Sequence, residues 1–348
     1  MSALAPKSSR PGDKPDATRE NLRKSLLSWY DRNGRELPWR VRGGTGDPYK
    51  VWLSEIMLQQ TTVAAVEPYF ARFLEKWPTV DALAACPREA LLAAWAGLGY
   101  YARARNLHAA AQKLAGEGFP KDEAGWRALP GVGPYTGAAI AAIAFNCAAN
   151  VVDGNVERVM ARLYAVETPL PGAKALLREL SARLVTTKRP GDWAQALMDL
   201  GAMVCTPRAP RCGDCPWRNM CAANALGAPG AYPRRAPKPE RPQRFGAVFR
   251  IRRDDGALWL VRRPDRGLLG AMAALPTTQW GEKKLSRAQA LKQAPVHAGW
   301  KRLGQVRHVF THFGLTLDVY EAHAAPGQDG WWGDADALPT VFRKVAEL

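Results

Sequence analysis

Four of the six cysteines in this 348-residue chain fall within residues 205–221. Their spacing is Cys205-x6-Cys212-x2-Cys215-x5-Cys221. Thiolates are soft ligands that suit zinc or an iron–sulfur cluster. A zinc site usually has two close cysteine pairs, whereas only one pair is close here. The spacing therefore favours a [4Fe-4S] cluster, which needs four separated ligands, with zinc as the alternative.

The chain is strongly basic, which limits the partners it can have. It has 49 Lys and Arg residues against 32 Asp and Glu residues, a formal net charge of +17 and a pI of about 9.9. This surplus favours nucleic acid, because neutralised phosphates release counterions. Arg208, Arg211 and Arg218 in the cysteine loop suit contact with phosphates. A basic soluble enzyme without such a partner is the alternative.

The N-terminus does not have the pattern of a signal peptide. Residues 1–19 are rich in Ser, Pro, Lys and Asp, and no apolar segment follows them. The longest apolar run, residues 137–145, is too short to cross a bilayer. We expect a disordered tail over residues 1–19, a monomer without membrane association, and an intracellular location (cytoplasmic and nucleoid-associated if the source is bacterial). In that compartment cysteines bind metal more often than they form disulfides.

The pattern along the chain predicts two domains. Residues 20–226 are short helical segments separated by Gly and Pro, which is typical of a compact all-α domain. Residues 227–243 contain Gly, Pro and Arg without periodicity and predict an extended linker. Residues 244–348 predict a smaller α+β domain. Its predicted strands are 245–252, 258–262 and 315–321, and its predicted helix is 286–294.

A glycine-rich turn, Leu129-Pro130-Gly131-Val132-Gly133-Pro134, joins two predicted helices. Glycine permits positive φ and close approach to the backbone, and the N–H groups at a helix start attract anions. Gly131 and Gly133 are therefore candidates for binding one DNA phosphate, together with a monovalent cation or Ca²⁺ shared by carbonyl groups. A plain structural turn is the alternative, because a Gly-x-Gly turn alone is a weak signal.

Two acidic residues differ from their surroundings. Glu55 lies on a predicted helix among apolar neighbours, so burial should raise the pKa of its carboxyl and let it donate a proton near neutral pH. Asp153 precedes Gly154 and Asn155 at the start of another helix, where Asp is an ordinary N-cap. An exposed acid and a plain helix cap are the alternative interpretations.

The order of these features resembles the endonuclease III superfamily of base-excision glycosylases: a helix, the LPGVG hairpin, a helix, an Asp at the next helix start, then four cysteines. Three segments resemble the MutY-type adenine DNA glycosylases, namely SEIMLQQT at 54–61, GLGYY at 97–101 and VDGNV at 152–156. The resemblance extends from LPWR at 37–40 to HVFTH at 308–312. It implies an all-α helix-hairpin-helix glycosylase domain with a cluster loop, followed by an α+β Nudix-like domain.

The resemblance also implies a reaction, the hydrolysis of the N-glycosidic bond of adenine mispaired with 8-oxoguanine or guanine in double-stranded DNA. Glu55 would protonate the base. Asp153, with Asn155 beside it, would stabilise the oxocarbenium ion or form a covalent intermediate. Tyr135 stands where bifunctional relatives have a lysine that attacks the sugar. Because tyrosine cannot form an imine, we expect a monofunctional glycosylase.

Several further residues match DNA-contacting positions of the family. Gln60 and Tyr100 resemble residues that wedge into the duplex when a nucleotide is flipped out. Phe310-Thr311-His312 stands where the family often has Phe-Ser-His in contact with 8-oxoguanine. Glu157 departs from the basic or neutral residue that many relatives have. The other candidates for DNA or base contact are Arg35, Trp39, Arg40, Thr61, Leu98 and Gln195.

Three rival functions fit the sequence less well. A noncatalytic iron–sulfur protein that senses redox state on DNA would lack the proton donor or the Asp, and both are present. An endonuclease III-type enzyme acting on oxidised pyrimidines would have the hairpin lysine and no C-terminal domain. A Nudix hydrolase would have the Gly…Arg-Glu…Glu-Glu box, which the C-terminal sequence lacks.

Overall fold

The structure is a computed structural model that describes residues 14–237, 240–264, 267–325 and 329–348. The chain divides into two compact units, Met1–Pro237 and Lys238–Leu348. Each unit has its own hydrophobic core, as expected for two domains. Within the described ranges, the helices are all too short or too polar to cross a lipid bilayer.

The N-terminal unit is built from short helices whose starts follow local sequence signals. Asp47 caps the second helix by accepting hydrogen bonds from the amides of Tyr49 and Lys50. Pro48 takes the first helical position, where no amide donor is needed. The helices are α1 (Asp16–Asn33), α2 (Pro48–Met57), α3 (Val63–Lys76), α4 (Val80–Ala85), α5 (Arg88–Ala94), α6 (Ala102–Glu117), α7 (Glu123–Arg127), α8 (Pro134–Phe145), α9 (Gly154–Leu163), α10 (Lys174–Ala182), α11 (Pro190–Asp199) and α12 (Ala222–Ala225).

Helix α8 lies at the centre of this unit. Its residues from Thr136 to Ala144 are all buried, and both α2 and α11 pack against it. After α11, a π-helical turn (Leu200–Val204) passes close to the start of α9. A Cβ atom at Gly201 would lie 2.6 Å from the Cβ of Asn155, so only glycine permits this approach. The segments that carry Glu55, Asn155 and Cys205 therefore converge in one region.

The predicted start of the helical unit was wrong. Helix α1 begins at Asp16, so residues 16–19 are helical and do not belong to a disordered tail. Asp16 in the first turn interacts favourably with the helix dipole. Residues 1–13 of the predicted tail lie outside the described residues. Helix α11 ends at Asp199, where the π-helical turn takes over.

The predicted linker is shorter than the sequence suggested, because residues up to Pro237 belong to the helical unit. The Leu170 amide donates to the Arg234 carbonyl at 2.8 Å, and the Ala236 amide donates to the Leu170 carbonyl at 3.0 Å. Tyr232 is 5% exposed. The sequence of this segment shows no helix or strand periodicity, because the segment is held by its backbone bonds to Leu170 and by the buried ring of Tyr232. The linker residues 238–239 lie outside the described residues.

The described part of the C-terminal unit contains two three-stranded sheets, with strand orders β1-β5-β4 and β3-β2-β6. Strand β1 pairs parallel with β5, and the other pairings are antiparallel. The predicted strands agree with β1, β2 and β5 to within two residues, whereas β3, β4, β6 and the last helix were not predicted. The elements are β1 (Gln243–Ile251), β2 (Leu258–Arg262), β3 (Ala273–Ala274), α13 (Arg287–Leu291), β4 (Lys301–Val309), β5 (Gly314–Ala322), β6 (Trp331–Gly333) and α14 (Thr340–Ala346).

The alternation of side chains along β1 and β5 builds a core on each face of their sheet. Val248 and Leu317 pack with Phe342 of α14 on one face. Phe249 and Tyr320 pack on the other, where their rings stack at 6.0 Å. The tight β4–β5 connection carries Phe310-Thr311-His312, and the Phe310 amide donates to the Phe313 carbonyl at 2.9 Å.

Candidate active site

A cavity of about 440 Å³ in the helical unit brings together most of the predicted catalytic and base-binding residues. This volume is in the range of small-ligand sites. Residues that are far apart in sequence line it because α2, α8, α9 and α11 pack side by side. The predicted residues in its wall are Arg35, Trp39, Arg40, Glu55, Thr61, Tyr135, Asp153, Asn155 and Gln195.

Glu55 lies on the buried face of α2 and is 6% exposed. Burial disfavours the carboxylate and is the largest influence on its pKa. A hydrogen bond from Tyr135 and the charge of Arg40 oppose this effect, whereas the charge of Asp153 adds to it. The net result raises the pKa of Glu55 to about 7. The side chain can therefore hold a proton near neutral pH and release it to a bound group.

Tyr135, at the start of α8, faces the same cavity. Its hydroxyl lies 3.2 Å from the sulfur of Met198 and also bonds to Glu55. Burial, followed by the charges of Glu55 and Asp153, raises the pKa of the phenol well above its usual value. Tyr135 is therefore a neutral hydrogen-bond donor beside the proposed acid.

Asp153 both caps α9 and faces the cavity. Its Oδ1 accepts a hydrogen bond from the Val156 amide at 2.7 Å, as an N-cap does. Its Oδ2 accepts one from the Asn155 side chain at 2.8 Å. Asp153 can therefore be both a helix cap and a site residue, because the two hydrogen bonds fix the direction of its carboxylate.

A buried ion cluster that the sequence analysis missed forms one wall of the cavity. Asp199 is 0% exposed and binds two predicted site residues. Arg35 contacts Asp199 Oδ1 at 2.7 Å, and Arg40 contacts Oδ2 at 2.8 Å. Burial alone would raise the pKa of Asp199, but the hydrogen bonds and charges of Arg40 and Arg35 lower it. Asp199 therefore stays ionised and fixes both guanidinium groups.

The cavity wall also has an unsatisfied acceptor and an aromatic face. Gln195 is 2% exposed, and its amide nitrogen donates to the Gly191 carbonyl at 3.2 Å. Its Oε1 has no hydrogen-bond partner among the described residues. Trp39 packs edge-to-face on Phe70 at 5.1 Å. A flat ligand with an N–H donor would satisfy Gln195, whose buried oxygen is otherwise costly to leave unpaired.

The four predicted metal ligands, Cys205, Cys212, Cys215 and Cys221, line a second, smaller cavity. The four form no disulfide bonds within the described part of the chain. Among the described residues, no three His, Cys, Asp or Glu side chains are grouped as for a single metal ion. Four soft donors in one partly buried loop fit a cluster with four separate corners.

Two arginines of α9, which the sequence analysis also missed, connect this loop to the first cavity. Arg162 is 2% exposed and donates to Cys205 Sγ at 3.3 Å and to the Thr206 carbonyl at 2.7 Å. Arg158 donates to the Cys205 carbonyl at 2.7 Å and to Asn155 Oδ1 at 2.8 Å. The loop and the Asp153–Asn155 pair are therefore parts of one hydrogen-bonded structure.

Comparison with known families agrees with this geometry. A model described as "HhH-GPD superfamily base excision DNA repair protein" matches residues 53–184, and "Iron-sulfur binding domain of endonuclease III" matches 205–221. A NUDIX domain model matches 247–348. These matches confirm the predicted domain types and an iron–sulfur cluster in the cysteine loop.

Comparison with individual proteins is more specific. The adenine DNA glycosylase of Homo sapiens is 36% identical over 86% of this chain and 66% of its own length. That of Rattus norvegicus is 36% identical over 86% of this chain and 70% of its own length. The chain belongs to the adenine DNA glycosylases. These enzymes are hydrolases of the N-glycosyl bond, so the predicted family and enzyme class are confirmed.

Solved structures agree on the fold of the adenine DNA glycosylase's helical unit. A thermostable thymine-DNA glycosylase superposes with a TM-score of 0.55 and 29% identity, covering 61% of this chain and 98% of its own. A non-covalent endonuclease III–DNA complex gives a TM-score of 0.50 at 23% identity, covering 60% of this chain and 97% of its own. The latter supports the fold alone.

The predicted hairpin of this adenine DNA glycosylase lies between α7 and α8. Gly131 has φ 78°, and a Cβ atom there would lie 2.7 Å from the Cβ of Asn106. Gly133 caps α8, and both glycines are exposed. Phosphate and cation binding by this turn remains a prediction.

The residues predicted to contact the duplex fall into two groups. Gln60 and Tyr100 are exposed and have positive φ, 60° and 48°, which is uncommon for residues other than glycine. Leu98 needs correction, because its side chain is 6% exposed and packs in the core. Glu157, which is acidic where many relatives are basic or neutral, has its negative charge paired with Lys174, whose Nζ lies 3.8 Å from the carboxylate.

In the Nudix-like unit of the adenine DNA glycosylase, Thr311 and His312 are exposed at the β4–β5 turn. Phe310 is half-buried and stacks on Trp280 with ring centres 6.1 Å apart. The aromatic packing holds one end of the turn and leaves the next two side chains accessible. Phe310 therefore contributes to the core as well as to the surface.

Proposed function

We propose that this adenine DNA glycosylase removes adenine mispaired with 8-oxoguanine or guanine from double-stranded DNA. The proposal is carried by one observation, a cavity in which a buried Glu55 of raised pKa faces Asp153. Gln195 supports adenine as the base, because its unpaired Oε1 can accept from an exocyclic amino group. The basic net charge of +17 supports binding to DNA.

Glu55 starts the reaction by donating its proton to a ring nitrogen of the flipped adenine. Protonation makes the base a neutral leaving group, so the N-glycosidic bond can break. The hydroxyl of Tyr135, which stays protonated, holds the carboxyl of Glu55 in place. Arg40, fixed by Asp199, keeps a positive charge near Glu55 and stabilises the carboxylate that remains after the transfer.

Asp153 acts on the sugar. Breaking the bond builds oxocarbenium character, which the Asp153 carboxylate stabilises or captures covalently before water completes the hydrolysis. Asn155 and the Val156 amide hold this carboxylate in a fixed direction. Such preorganisation lets the charge act without rearrangement during the reaction.

The enzyme is proposed to be monofunctional because Tyr135 occupies the position of the lyase lysine. Incubation with duplexes containing A opposite 8-oxoguanine, G or C tests both parts of the proposal. We expect abasic product from the first two duplexes, and strand breaks only after alkali. Excision restricted to another base would contradict the function. Equal strand cleavage without alkali would contradict the monofunctional assignment.

We further propose that the β4–β5 turn reads 8-oxoguanine. Thr311 and His312 supply exposed polar groups beside the packed Phe310 ring. Contacts that distinguish one base from another are typically worth about 1–3 kcal/mol each. The turn would therefore raise the preference for A:8-oxoguanine over A:G without touching Glu55 or Asp153.

The double variant Thr311→Ala/His312→Ala is expected to lower the ratio of single-turnover rates on A:8-oxoguanine and A:G by about tenfold or more, because two specific contacts are lost. The A:G rate should change little. Val341→Ala is the control, since Val341 is buried in α14 and its truncation lowers stability without altering the turn. An unchanged ratio in the double variant would remove lesion reading from this turn.

The cysteine loop is proposed to hold a [4Fe-4S] cluster, for which the four separated thiols provide one ligand each. Bound there, the cluster would cross-link the loop and could exchange electrons. We expect anaerobically purified protein to be brown and to contain about four irons and four sulfides per chain. Replacement of Cys212 by Ser should reduce the iron content, whereas Cys147→Ser should not. One zinc and no iron would contradict the assignment.

A further inference from the structure

Arg103, near the start of α6, is a buried arginine outside the cavity of Glu55. It is 8% exposed, and its Nη1 and Nη2 atoms make five hydrogen bonds, whereas its Nε has no partner among the described residues. Burying a guanidinium is costly unless its donors are satisfied. So many bonds from one side chain indicate that Arg103 holds specific segments together.

The first segment is the end of α2, which carries Glu55. Nη1 of Arg103 donates to the carbonyls of Ile56 at 3.1 Å and Met57 at 2.9 Å. The last carbonyls of a helix have no partners within it and favour a cation. The last turn of α2 contains no basic residue of its own. Arg103 supplies that charge from another helix.

The same guanidinium binds the two loops that carry Gln60 and Tyr100. Nη2 donates to Thr61 Oγ1 at 3.3 Å, next to Gln60. It also donates to the carbonyls of Leu98 at 2.7 Å and Gly99 at 3.3 Å, immediately before Tyr100. The guanidinium carbon lies 5.7 Å from the Tyr100 ring centre, within range of a cation–π contact.

The backbone at Gln60 and Tyr100 needs such support. A left-handed conformation is unfavourable for a non-glycine residue and persists only where the surroundings impose it. The two loops do not belong to a common helix, because the Gln60 loop follows α2 and the Tyr100 loop precedes α6. Through Arg103, one side chain fixes both relative to each other and to the helix of Glu55.

We propose, on the basis of the function proposed above, that Arg103 is a positioning residue for base flipping. It locks the Gln60 loop and the Tyr100 loop into one arrangement, so that both side chains enter the duplex together while adenine moves to Glu55. The two terminal nitrogens matter more than the charge alone, because lysine has a single nitrogen that cannot reach both loops and the helix end at once.

The test compares Arg103→Lys with wild type on two duplexes, both with A opposite 8-oxoguanine. One has paired flanks, and in the other the two flanking pairs are mismatched, so that less unstacking is left to the enzyme. We expect the single-turnover rate to fall about tenfold or more on the paired duplex, since flipping costs a few kcal/mol and tenfold is about 1.4 kcal/mol. On the mismatched duplex it should fall less than about threefold. The fluorescence of a 2-aminopurine placed beside the adenine, which rises when bases unstack, should increase less with Arg103→Lys than with wild type on the paired duplex.

Arg88→Lys is the matched control, because Arg88 is exposed at the start of α5. Amide hydrogen exchange without DNA should accelerate in residues 58–62 and 97–101 of Arg103→Lys and stay unchanged in α8.

Should Arg103→Lys not fold, Thr61→Val removes one acceptor of Arg103 and should show the same pattern of rate losses and exchange at smaller size. Equal rate losses on both duplexes with unchanged exchange in the loops would overturn the inference. Absence of excision by wild type would instead contradict the proposed function. The hydrogen-exchange measurement would still test whether Arg103 holds the Gln60 and Tyr100 loops in place.

Discussion

Replacement of Glu55 by Gln is expected to lower the single-turnover rate of adenine excision by about 10²- to 10⁴-fold, the usual contribution of a positioned general acid. Gln has nearly the same shape, but its amide is far too weak an acid to protonate the base. DNA binding should persist, because Glu55 is buried in the cavity wall and carries no positive charge. Rates at saturating enzyme and affinities for the A:8-oxoguanine duplex separate the two effects.

Stability measurements provide an internal control for this variant. The pKa of Glu55 rises from an ordinary 4.5 to about 7 in the folded protein. Its protonated form therefore stabilises the fold below about pH 4.5, and this contribution, about 3 kcal/mol, is lost as the pH rises through about 7. Glu55→Gln should be at least as stable as wild type at pH 8, so lost activity cannot be ascribed to unfolding. Glu75→Gln, on the exposed face of α3, should retain full activity.

The second large effect is expected for Asp153→Asn, which should lower the excision rate by about 10²- to 10³-fold, as loss of one preorganised electrostatic group does. Asn is as good an N-cap as Asp, so α9 should keep its bond from the Val156 amide. The new amide nitrogen would face the Asn155 nitrogen that now donates to Oδ2. The variant therefore loses both the negative charge of Asp153 and the fixed orientation of its side chain toward the sugar.

A matched cap variant distinguishes catalysis from helix capping. Asp122 caps α7 by accepting from the Gly125 amide at 2.8 Å and lies outside the cavity lining. Asp122→Asn should leave the excision rate unchanged. Unfolding should show that Asp153→Asn loses no more than about 1 kcal/mol, the value of a charge at a helix dipole. Substantial excision by well-folded Asp153→Asn would remove Asp153 from the reaction.

Residues whose roles depend on local sequence could be predicted, whereas those defined by tertiary contacts could not. Asp47-Pro48 and Asp153 are helix starts that the chain encodes within a few residues. Strand β4 was missed because it is an edge strand with charged Lys301 and Arg307, so it lacks a clear apolar alternation. Residues 227–237 were taken for a linker because their pairing partner, Leu170, is far away in sequence.

The same distinction applies to the site. An acid among apolar neighbours singled out Glu55, and Asp199, between Met198 and Leu200, has the same signature and could have been found in that way. Arg103 could not, because nothing near it in sequence distinguishes it from Arg105. Its role arises only when α6 packs against the end of α2. The family resemblance supplied the remaining candidates for base contact, and most of them line the cavity.

The central claim is that a buried Glu55 with a raised pKa donates the proton that releases adenine. The pH dependence of the single-turnover rate at saturating enzyme, from about pH 5.5 to 9, tests it most directly. Glu55 must be protonated to act, so we expect the rate to fall tenfold per pH unit above a midpoint near 7, the pKa to which burial raises this carboxyl. A rate that stays constant from pH 6 to 9 would contradict the assignment of Glu55 as the proton donor.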